Sequence, residues 1–458
     1  MNPSTSSSDR RKRIVIVGGG FAGLQAARSL RRADADVILL DRRNFHLFQP
    51  LLYQVATGEL SPANIATPLR GLLRRHANTQ VLLGEVVGID LQRRQLQTTD
   101  SQIDFDYLLL AAGATPFYFG QEHWKQYAPG LKTIENATEI RRQILGAFEA
   151  AERSSDPAAI QDLLTFVIVG GGPTGCELAG TIAEIANHTL AHDFRSIYPA
   201  SSRILLIESG TSPLDIYPAP LPQRAGDDLR RLGVEIISHT RVTDIQADHV
   251  VATETATGQS QRIGTRTVLW AAGVRANPLG QCLAEAAGVE AARGGRVDVQ
   301  ADLSVPGFQD VFVCGDLARY VDPKAGELPG LAPVATQMGG HAAKNVLADL
   351  SGRPRQPFRY RDKGSLAVIG RFKAVGVIGN WKVKGFTAWF VWLAIHLMYI
   401  TMFRNRLLVL TQWGWTFLTR DRSARLITDG PNNDISTMEQ STGWDEDPIV
   451  PPTSVSES

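Results

Sequence analysis

Cysteine is scarce in this chain of 458 residues, and its three cysteines, Cys176, Cys282 and Cys314, stand far apart. No C-x-x-C pair occurs, so the sequence offers neither a disulfide framework nor the spaced thiols of a metal site. Dithiol reduction is excluded as well, because it needs an attacking and a resolving sulfur. We therefore expect a reducing compartment and no bound metal.

An excess of charge of either sign is also lacking. Lys and Arg number 47 against 46 Asp and Glu, for a net charge of +1, and no basic stripe accompanies a motif. This balance argues against a nucleic-acid partner. After the polar and basic start, MNPSTSSSDRRKR, only IVIV precedes the glycines, which is too short an apolar run for a secretory signal. We predict a protein that stays on the cytoplasmic side.

Glycine, by contrast, forms two matching motifs, RIVIVGGGFAG at residues 13–23 and TFVIVGGGPTG at residues 165–175. Each is an apolar run that ends in G-x-G-x-x-G and leads into a helical pattern. The first glycine permits the tight turn, the second lets a pyrophosphate approach the backbone, and the third lets the helix pack closely. The glycines with these roles are Gly18, Gly20 and Gly23 in the first motif and Gly170, Gly172 and Gly175 in the second. Two copies predict two dinucleotide sites.

An acidic residue follows each motif at the end of the next predicted strand. Asp41 lies 18 positions after Gly23, close to the usual interval for an acid on the ribose hydroxyls. Glu208 lies 33 positions after Gly175, and a long crossover through residues 185–202 accounts for the excess. Because a carboxylate repels a 2′-phosphate, Glu208 predicts a preference for NADH over NADPH.

The order of the predicted strands indicates an α/β fold with two Rossmann-like domains, one inserted into the other. Apolar strands ending in small residues recur at 105–113 and 267–273, and a further buried-type strand, VFVCGD, covers residues 311–316. We predict a first domain at residues 13–132 and 296–373 and an inserted second domain at 133–295. Residues 1–12 are predicted to be a disordered leader, and residues 429–458 an acidic disordered tail.

Aromatic residues are concentrated near the C-terminal end. Five of the eight tryptophans lie between residues 381 and 415, and residues 385–403 carry no formal charge between flanking Lys and Arg pairs. This run is long enough to span a bilayer, but His396 and the flanking Trp, Lys and Arg favour helices that lie in the membrane interface. We predict that residues 374–428 attach the protein to a bilayer surface; a soluble core or dimer surface is the alternative.

With these features, residues 13–428 resemble the type II NADH:quinone oxidoreductases, which are single-subunit flavoproteins that do not pump protons. The similar blocks are NFHLFQPLLYQVATG at 44–58, GGGPTGCELAG at 170–180, APVATQMGG at 332–340, YRDKGSLAVIGR at 360–371, and FRNR at 403–406 with Trp389, Trp392 and His396 before it. The resemblance implies a glutathione-reductase-like plan, tightly bound FAD in the first domain and NADH as co-substrate in the second. It also implies a membrane quinone as acceptor at the cytoplasmic face.

The resemblance also carries over flavin-binding residues. Gly315 and Asp316 match a pair whose carboxylate bonds the ribityl chain, and Ala112 and Gly113 look like a small-residue turn against the flavin. Candidates for the flavin's surroundings are His46, Tyr53 and Gln54.

Two candidate catalytic residues remain. Glu177 follows Gly175 by two positions, and a pyrophosphate at that helix N-terminus would repel it, so its side chain is expected to face elsewhere. The resemblance implies a role for Glu177 at the contact of flavin and nicotinamide, in hydride or proton handling. Gln337 matches the family's quinone-pocket glutamine, whose amide can bond a quinone carbonyl.

Other functions stay open at this point. A soluble FAD-dependent NADH reductase of another redox acceptor would carry the same two motifs. A redox sensor that binds FAD and NADH without catalysis would carry them as well. The oligomeric state is also open, with a homodimer as one alternative.

Overall fold

The computed structural model of the chain describes residues 10–428. The predicted acidic tail and the first nine residues of the predicted leader lie outside the described residues. The leader ends earlier than predicted, because the first strand begins at Lys12. Arg10 and Lys12 lie 3.2 and 3.3 Å from the carboxylate of Asp106 beside the start of the strand.

The first motif lies in a six-stranded sheet. Its strands, in spatial order, are Ser304–Val305, Phe308–Val313, Tyr107–Leu110, Lys12–Val17, Ala35–Asp41 and Thr79–Leu83. All neighbours pair in parallel except Ser304–Val305, which pairs antiparallel with Phe308–Val313. The chain therefore returns to this sheet after passing through the second one. Its near-continuous apolar strands are buried on both faces, as is typical of parallel sheets.

The second motif lies in a four-stranded parallel sheet, ordered Val234–Ile237, Arg203–Ile207, Thr165–Val169 and Thr267–Trp270. In both sheets the motif strand stands between the strand that ends in the acid and the strand that ends in small residues. The repeat seen in the sequence is thus a repeat of topology. The α/β fold class with two Rossmann-like units is confirmed.

Small sheets complete the fold. Three antiparallel sheets have three strands each: Val86–Asp90, Gln95–Thr98 and Gln102–Asp104; Thr240–Ile245, His249–Glu254 and Ser260–Gly264; and Ser365–Gly370, Lys373–Ile378 and Trp381–Lys384. The two-stranded pairs are Phe45–Leu47 with Ala66–Pro68, Ala114–Pro116 with Val274–Ala276, Val297–Asp298 with Ala318–Arg319, and Val321–Asp322 with Gly326–Glu327. The pairing of Ala114–Pro116 with Val274–Ala276 joins the two units directly after their matching strands.

The α-helices are Phe21–Ser29, Leu52–Ala56, Pro62–Ile65, Leu69–Leu73, Ile134–Arg153, Pro157–Leu163, Pro173–Glu184, Leu221–Arg231, Leu279–Ala287, Ala332–Leu350, Gly385–Tyr399 and Phe403–Thr419. The longest, Ile134–Arg153, starts at Thr133, whose side chain accepts a hydrogen bond from the Asn136 backbone. Such a cap satisfies one of the unpaired N–H groups of the first turn.

The C-terminal region differs from its prediction. The sheet that runs from Ser365 to Lys384, which we call the C-terminal sheet, crosses the predicted boundary between residues 373 and 374. The first part of the predicted membrane region is therefore β-structure. The uncharged run at 385–403 is not one helix either. It breaks after Tyr399, where Met402 has a φ of +69°, and a second helix begins at Phe403.

Candidate functional site

The first glycine turn, residues 18–23, needs glycine at three positions for three different reasons. Gly18 has a φ of +103°, which favours glycine. A side chain at Gly23 would place its Cβ 1.8 Å from the carbonyl oxygen of Gly18, so the helix could not pack where it does. A Cβ on Gly20 would meet nothing within 4 Å. Neither the backbone conformation nor the packing requires glycine at position 20. Its missing side chain leaves space above the start of the helix.

The second glycine turn, residues 170–175, repeats this arrangement. Gly170 has a φ of +106°, and a Cβ on Gly175 would lie 1.9 Å from the carbonyl oxygen of Gly170. Gly172 again faces open space, with nothing within 4 Å of a Cβ there. Cys176 follows as a buried packing residue, and its thiol donates to the carbonyl oxygen of Gly171.

Both acids reach their glycine turns in the same way. The carboxylate of Asp41 accepts a hydrogen bond of 2.5 Å from the backbone N–H of Gly19. Glu208 accepts one of 2.5 Å from Gly171 and a second of 2.6 Å from Gly210. Burial raises the pKa of Asp41, although N–H donors from Gly19 and Arg43 oppose the shift. The longer crossover in the second unit thus leads to the same placement of the acid.

Both glycine turns have the features that a bound dinucleotide requires. At each turn, a helix N-terminus, a side-chain-free space and a carboxylate lie together, which matches a pyrophosphate and the adjacent ribose. The residues present fit the predicted groups at both sites.

The other predicted flavin residues surround the first glycine turn. A Cβ on Gly18 would lie 2.4 Å from the carbonyl oxygen of Ala111, directly before Ala112 and Gly113. Gly113 has a φ of +73°. A Cβ on Gly315 would lie 3.6 Å from Ala22 on the helix that follows the turn, and half-buried Asp316 comes next. The strand ends named from sequence therefore meet at one place.

His46 closes this region from another strand. Its Nδ1 lies 2.9 Å from the carbonyl oxygen of Gly19, and its ring meets Phe21 edge-on. Burial lowers the pKa of His46 to about 4, so the ring is neutral at physiological pH. Tyr53 and Gln54 are buried on the helix Leu52–Ala56, and the Gln54 oxygen accepts from the indole nitrogen of Trp413 at 2.9 Å.

Glu177 faces the C-terminal sheet. Its carboxylate accepts a hydrogen bond from the backbone N–H of Val368, in the strand Ser365–Gly370. Burial raises the pKa of Glu177 well above the usual range, and this hydrogen bond opposes the shift. The helix approaches this strand so closely that a Cβ on Gly180 would lie 1.8 Å from the carbonyl oxygen of Ile369. The C-terminal sheet therefore sets the surroundings of Glu177.

The amide of Gln337 is already paired at both ends. Its nitrogen donates to the carbonyl oxygen of Arg361, and its oxygen accepts from the N–H of the same residue, each at 3.0 Å. A second N–H on the Gln337 nitrogen can still donate to a quinone carbonyl, while this pairing holds the amide in place. Sequence reasoning did not find the pairing because the partner lies 24 residues away in an irregular segment.

A cavity of about 430 Å³ lies between the helix Pro173–Glu184, the C-terminal sheet and the last two helices; we call it the C-terminal cavity. Its apolar wall consists of Leu232, Phe372, Trp389, Trp392, Leu393, Trp413 and Phe417. Its polar side includes Tyr53, Gln54, Glu59, Thr181, Glu184, Arg371 and Arg422. Of these, sequence reasoning had named only Tyr53 and Gln54, and it missed the others, among them Glu59, Glu184 and Arg422.

A spacing of four and then three residues links Glu177, Thr181 and Glu184 on one helix face, and it could have revealed Glu184. No sequence signal marks Glu59 or Arg422, which approach from distant parts of the chain.

The two last helices are partly buried and partly exposed. Trp392 and Trp413 belong to the core of the second unit, whereas Phe403 and Leu418 are 78% and 80% exposed. Other exposed apolar residues nearby are Trp381, Phe386, Phe390, Met398, Tyr399, Leu407, Leu408, Leu410 and Trp415. Among residues 10–428, no helix combines the length and apolar character needed to cross a membrane.

Comparisons with known proteins cover almost the whole described chain. Residues 12–339 match the pyridine nucleotide-disulphide oxidoreductase family, and residues 363–421 match the NDH2 C-terminal domain. The chain is 45% identical to the type II NADH:quinone oxidoreductase Ndh of Mycobacterium tuberculosis, over 93% of this chain and 92% of that protein. It is 43% identical to NdhA of the same organism, over 91% of this chain and 90% of the relative.

Solved structures share the fold at low identity. The structure of NDH2 from Plasmodium falciparum in complex with NADH superposes with a TM-score of 0.82 at 20% identity, covering 89% of this chain and 98% of that one. The sulfide:quinone oxidoreductase of Aquifex aeolicus has a TM-score of 0.67 at 16% identity, over 94% of this chain and 95% of its own.

Proposed function

Because the chain belongs to the type II NADH:quinone oxidoreductases, we propose that FAD binds at its first glycine turn and NADH at its second. The enzyme takes a hydride from NADH and delivers two electrons to a quinone, without pumping protons. FAD, when bound, supplies the carrier between the two substrates. The comparisons favour neither a soluble reductase of another acceptor nor a redox sensor.

The observation that supports two nucleotide sites is the identical construction of the two turns. Each has a glycine, Gly20 or Gly172, at which an added Cβ would meet nothing within 4 Å. Each also has a carboxylate oxygen 2.5 Å from the backbone nitrogen of the preceding glycine, Gly19 or Gly171. We assign Asp41 to the ribose of FAD and Glu208 to the ribose of NADH. The flavin-binding set is Gly18, Gly20, Gly23, Asp41, Ala112, Gly113, Gly315 and Asp316, and the NADH-binding set is Gly170, Gly172, Gly175 and Glu208. We also propose domain limits at residues 132, 295 and 373, although the β-structure of residues 365–384 crosses the last of them.

Glu177 and Gln337 are the proposed catalytic residues. Enclosure raises the pKa of Glu177, which favours the protonated carboxyl and suits it to giving and taking a proton. Gln337 would bond a quinone carbonyl through the second N–H of its amide, while the first stays bonded to the carbonyl oxygen of Arg361.

The exposed apolar side chains of the last two helices support attachment to a bilayer surface. Phe403 and Leu418 would bury their side chains among lipid, while Arg404 and Arg406 lie beside the phosphates. We propose that this surface holds the enzyme on the cytoplasmic face of the cell membrane, where a lipid-soluble quinone can reach it. The same apolar surface could instead pack against a second copy of the chain in a homodimer.

The decisive experiment follows NADH oxidation by membranes that contain the protein, with and without added quinone, and measures FAD in the purified protein. We expect quinone to accelerate NADH oxidation, NADH to be used in preference to NADPH, and one FAD per chain. If quinone leaves the rate of NADH oxidation unchanged, the proposed acceptor is wrong.

A further inference from the structure

Quinone reduction by NADH consumes one proton from solvent in each turnover. The balanced reaction is NADH + H⁺ + quinone → NAD⁺ + quinol, in which the hydride supplies one hydrogen and both electrons. This requirement depends on the proposed function. A reaction centre enclosed by protein therefore needs a route by which one proton can enter.

The C-terminal cavity reaches from the surface to the interior. His188, Phe372 and Arg420 line it and are exposed, so they mark its rim. Tyr53, Gln54 and Arg422 line it as well and are each only 4% exposed, so they mark its inner end. The volume of about 430 Å³ is large enough for a chain of water molecules.

One side of this route is a single face of the helix Pro173–Glu184. Glu177, Thr181 and Glu184 follow one another at spacings of four and three residues, and the Thr181 hydroxyl donates to the Glu177 carbonyl oxygen at 2.6 Å. At the outer end, Glu184 accepts from the backbone N–H of Arg371 at 2.7 Å. Carboxyls thus stand at both ends of the face, with Thr181 between them.

The opposite side carries Glu59 and Tyr53. Arg422 connects the two sides, because its guanidinium lies 3.4 Å from Glu184 and donates to the carbonyl oxygen of Thr57 at 3.3 Å. Burial raises the pKa of Tyr53, and the Glu177, Glu59 and Glu184 carboxylates raise it further, so this phenol lies within electrostatic reach of all three.

Glu59 has proton affinity suited to transfer near neutral pH. Burial raises the pKa of Glu59 to about 7, with Glu184 adding to the shift and Arg422 opposing it. The other titratable groups around the cavity are His188, Arg371, Lys373, Arg420 and, near Glu177, Tyr217.

We propose that Glu59, Glu184 and Tyr53, together with water in the C-terminal cavity, relay protons from the rim at His188 and Arg420 to Glu177. Glu59 receives a proton from solvent and passes it inward to Glu177, the inner end of the route, from which it goes to the quinone as the quinol forms. Two cavity-lining polar atoms, the Thr416 hydroxyl and the Arg371 Nε, are buried and bond no other group among the described residues. Both are suited to hold water in the relay.

The test compares two electron acceptors. In the full-length enzyme with FAD bound, Glu59→Gln should slow menadione reduction at pH 7 by about 10-fold, since water replaces the missing acid only in part. Ferricyanide reduction takes up no proton and should stay within about twofold of the unmodified enzyme. Wild-type menadione turnover should fall as pH rises through about 7, and Glu59→Gln should lack this limb. Glu59→Asp should restore part of the rate, and Glu149→Gln, on the exposed face of another helix, is the matched control.

A second readout does not depend on turnover. Infrared difference spectra between pH 6 and pH 8 should show a protonated carboxyl band that titrates near 7 and disappears in Glu59→Gln. The relay is refuted if both acceptors slow equally, or if menadione turnover keeps its wild-type pH profile. Failure of the wild-type enzyme to reduce menadione would instead refute the proposed function, while the infrared band would still report on Glu59.

Discussion

Gly172 and Gly175 in the second glycine turn face different surroundings. Substituting each of them can therefore separate an effect on NADH binding from an effect on folding. Gly172 has an extended backbone, with a φ of −68° and a ψ of −179°, and a Cβ there meets no atom within 4 Å. Gly172→Val therefore costs the folded state about 1 kcal/mol or less, the usual loss at a helix N-cap. Its methyl groups would fill the space that we assign to the NADH pyrophosphate.

The expected cost appears in nucleotide binding instead. A displaced pyrophosphate loses one charge-assisted hydrogen bond or more at the helix N-terminus, each worth about 1.5–3 kcal/mol. The KM for NADH should therefore rise by about 10- to 100-fold. Gly175→Ala is the contrasting variant, because its Cβ would lie 1.9 Å from the Gly170 carbonyl oxygen. It should lower the free energy of unfolding by about 1–3 kcal/mol or more.

Steady-state kinetics with NADH, thermal unfolding and FAD content measured on the same preparations would distinguish the two effects. Gly172→Val should keep its FAD and an unfolding midpoint within about 4 °C of the unmodified protein, while losing affinity for NADH. An unchanged KM for NADH in Gly172→Val would refute the placement of the pyrophosphate above this glycine. Gly20→Val is the matched variant in the first turn, and it should lose FAD while the second turn stays intact.

Three further predictions concern other parts of the molecule. Glu208→Gln should raise kcat/KM for NADPH relative to NADH by about 10-fold, because a carboxylate no longer faces the 2′-phosphate; an unchanged ratio would contradict our assignment of Glu208. Phe403→Ser with Leu418→Ser should weaken binding to anionic vesicles by about 10²- to 10⁴-fold, since each of the two buried side chains contributes about 1.5–3 kcal/mol, while ferricyanide reduction stays intact. The buried His46 is held neutral with a pKa of about 4, below its unfolded value, so its contribution to stability is complete above about pH 6.5 and is lost as pH falls toward 4. His46→Gln should flatten the dependence of the unfolding midpoint on pH in that window.

Local patterns were sufficient to predict the two Rossmann-like units. The apolar run before each glycine motif is a parallel strand, and the strand ends at Asp41 and Glu208 meet the glycine turns as expected. These features depend on residues close in sequence and on the fixed geometry of a strand, a turn and a helix. Asp41 and Glu208 reach the same position in their units although the crossovers before them differ in length. The parallel pairing of the strands fixes where each acid-bearing strand ends.

The C-terminal sheet was missed for the opposite reason. The strands of residues 365–384 pair with their neighbours along the chain, but the helix that the sheet packs against lies nearly 190 positions earlier. Arg371 bonds Glu184 across 187 residues, and Arg422 bonds it across 238. No local pattern records such contacts, so the partners of Glu177 and of Gln337 could not be predicted from the sequence.

The difference between the two units lies in what packs on the helix after each glycine turn. A Cβ on Gly339 would lie 2.0 Å from the Ala22 carbonyl oxygen, so the helix Ala332–Leu350 is held tightly against the first turn's helix. The second turn's helix is approached as closely at Gly180, but by a strand of the C-terminal sheet. The first contact fixes Gly339 beside the proposed flavin site. Gln337 lies two residues before Gly339 and is therefore held near that site as well. The second holds the Val368 and Arg371 backbones against Glu177 and Glu184. Two nearly identical turns can therefore serve different steps, because glycine at each helix contact admits a different neighbour with its own polar groups.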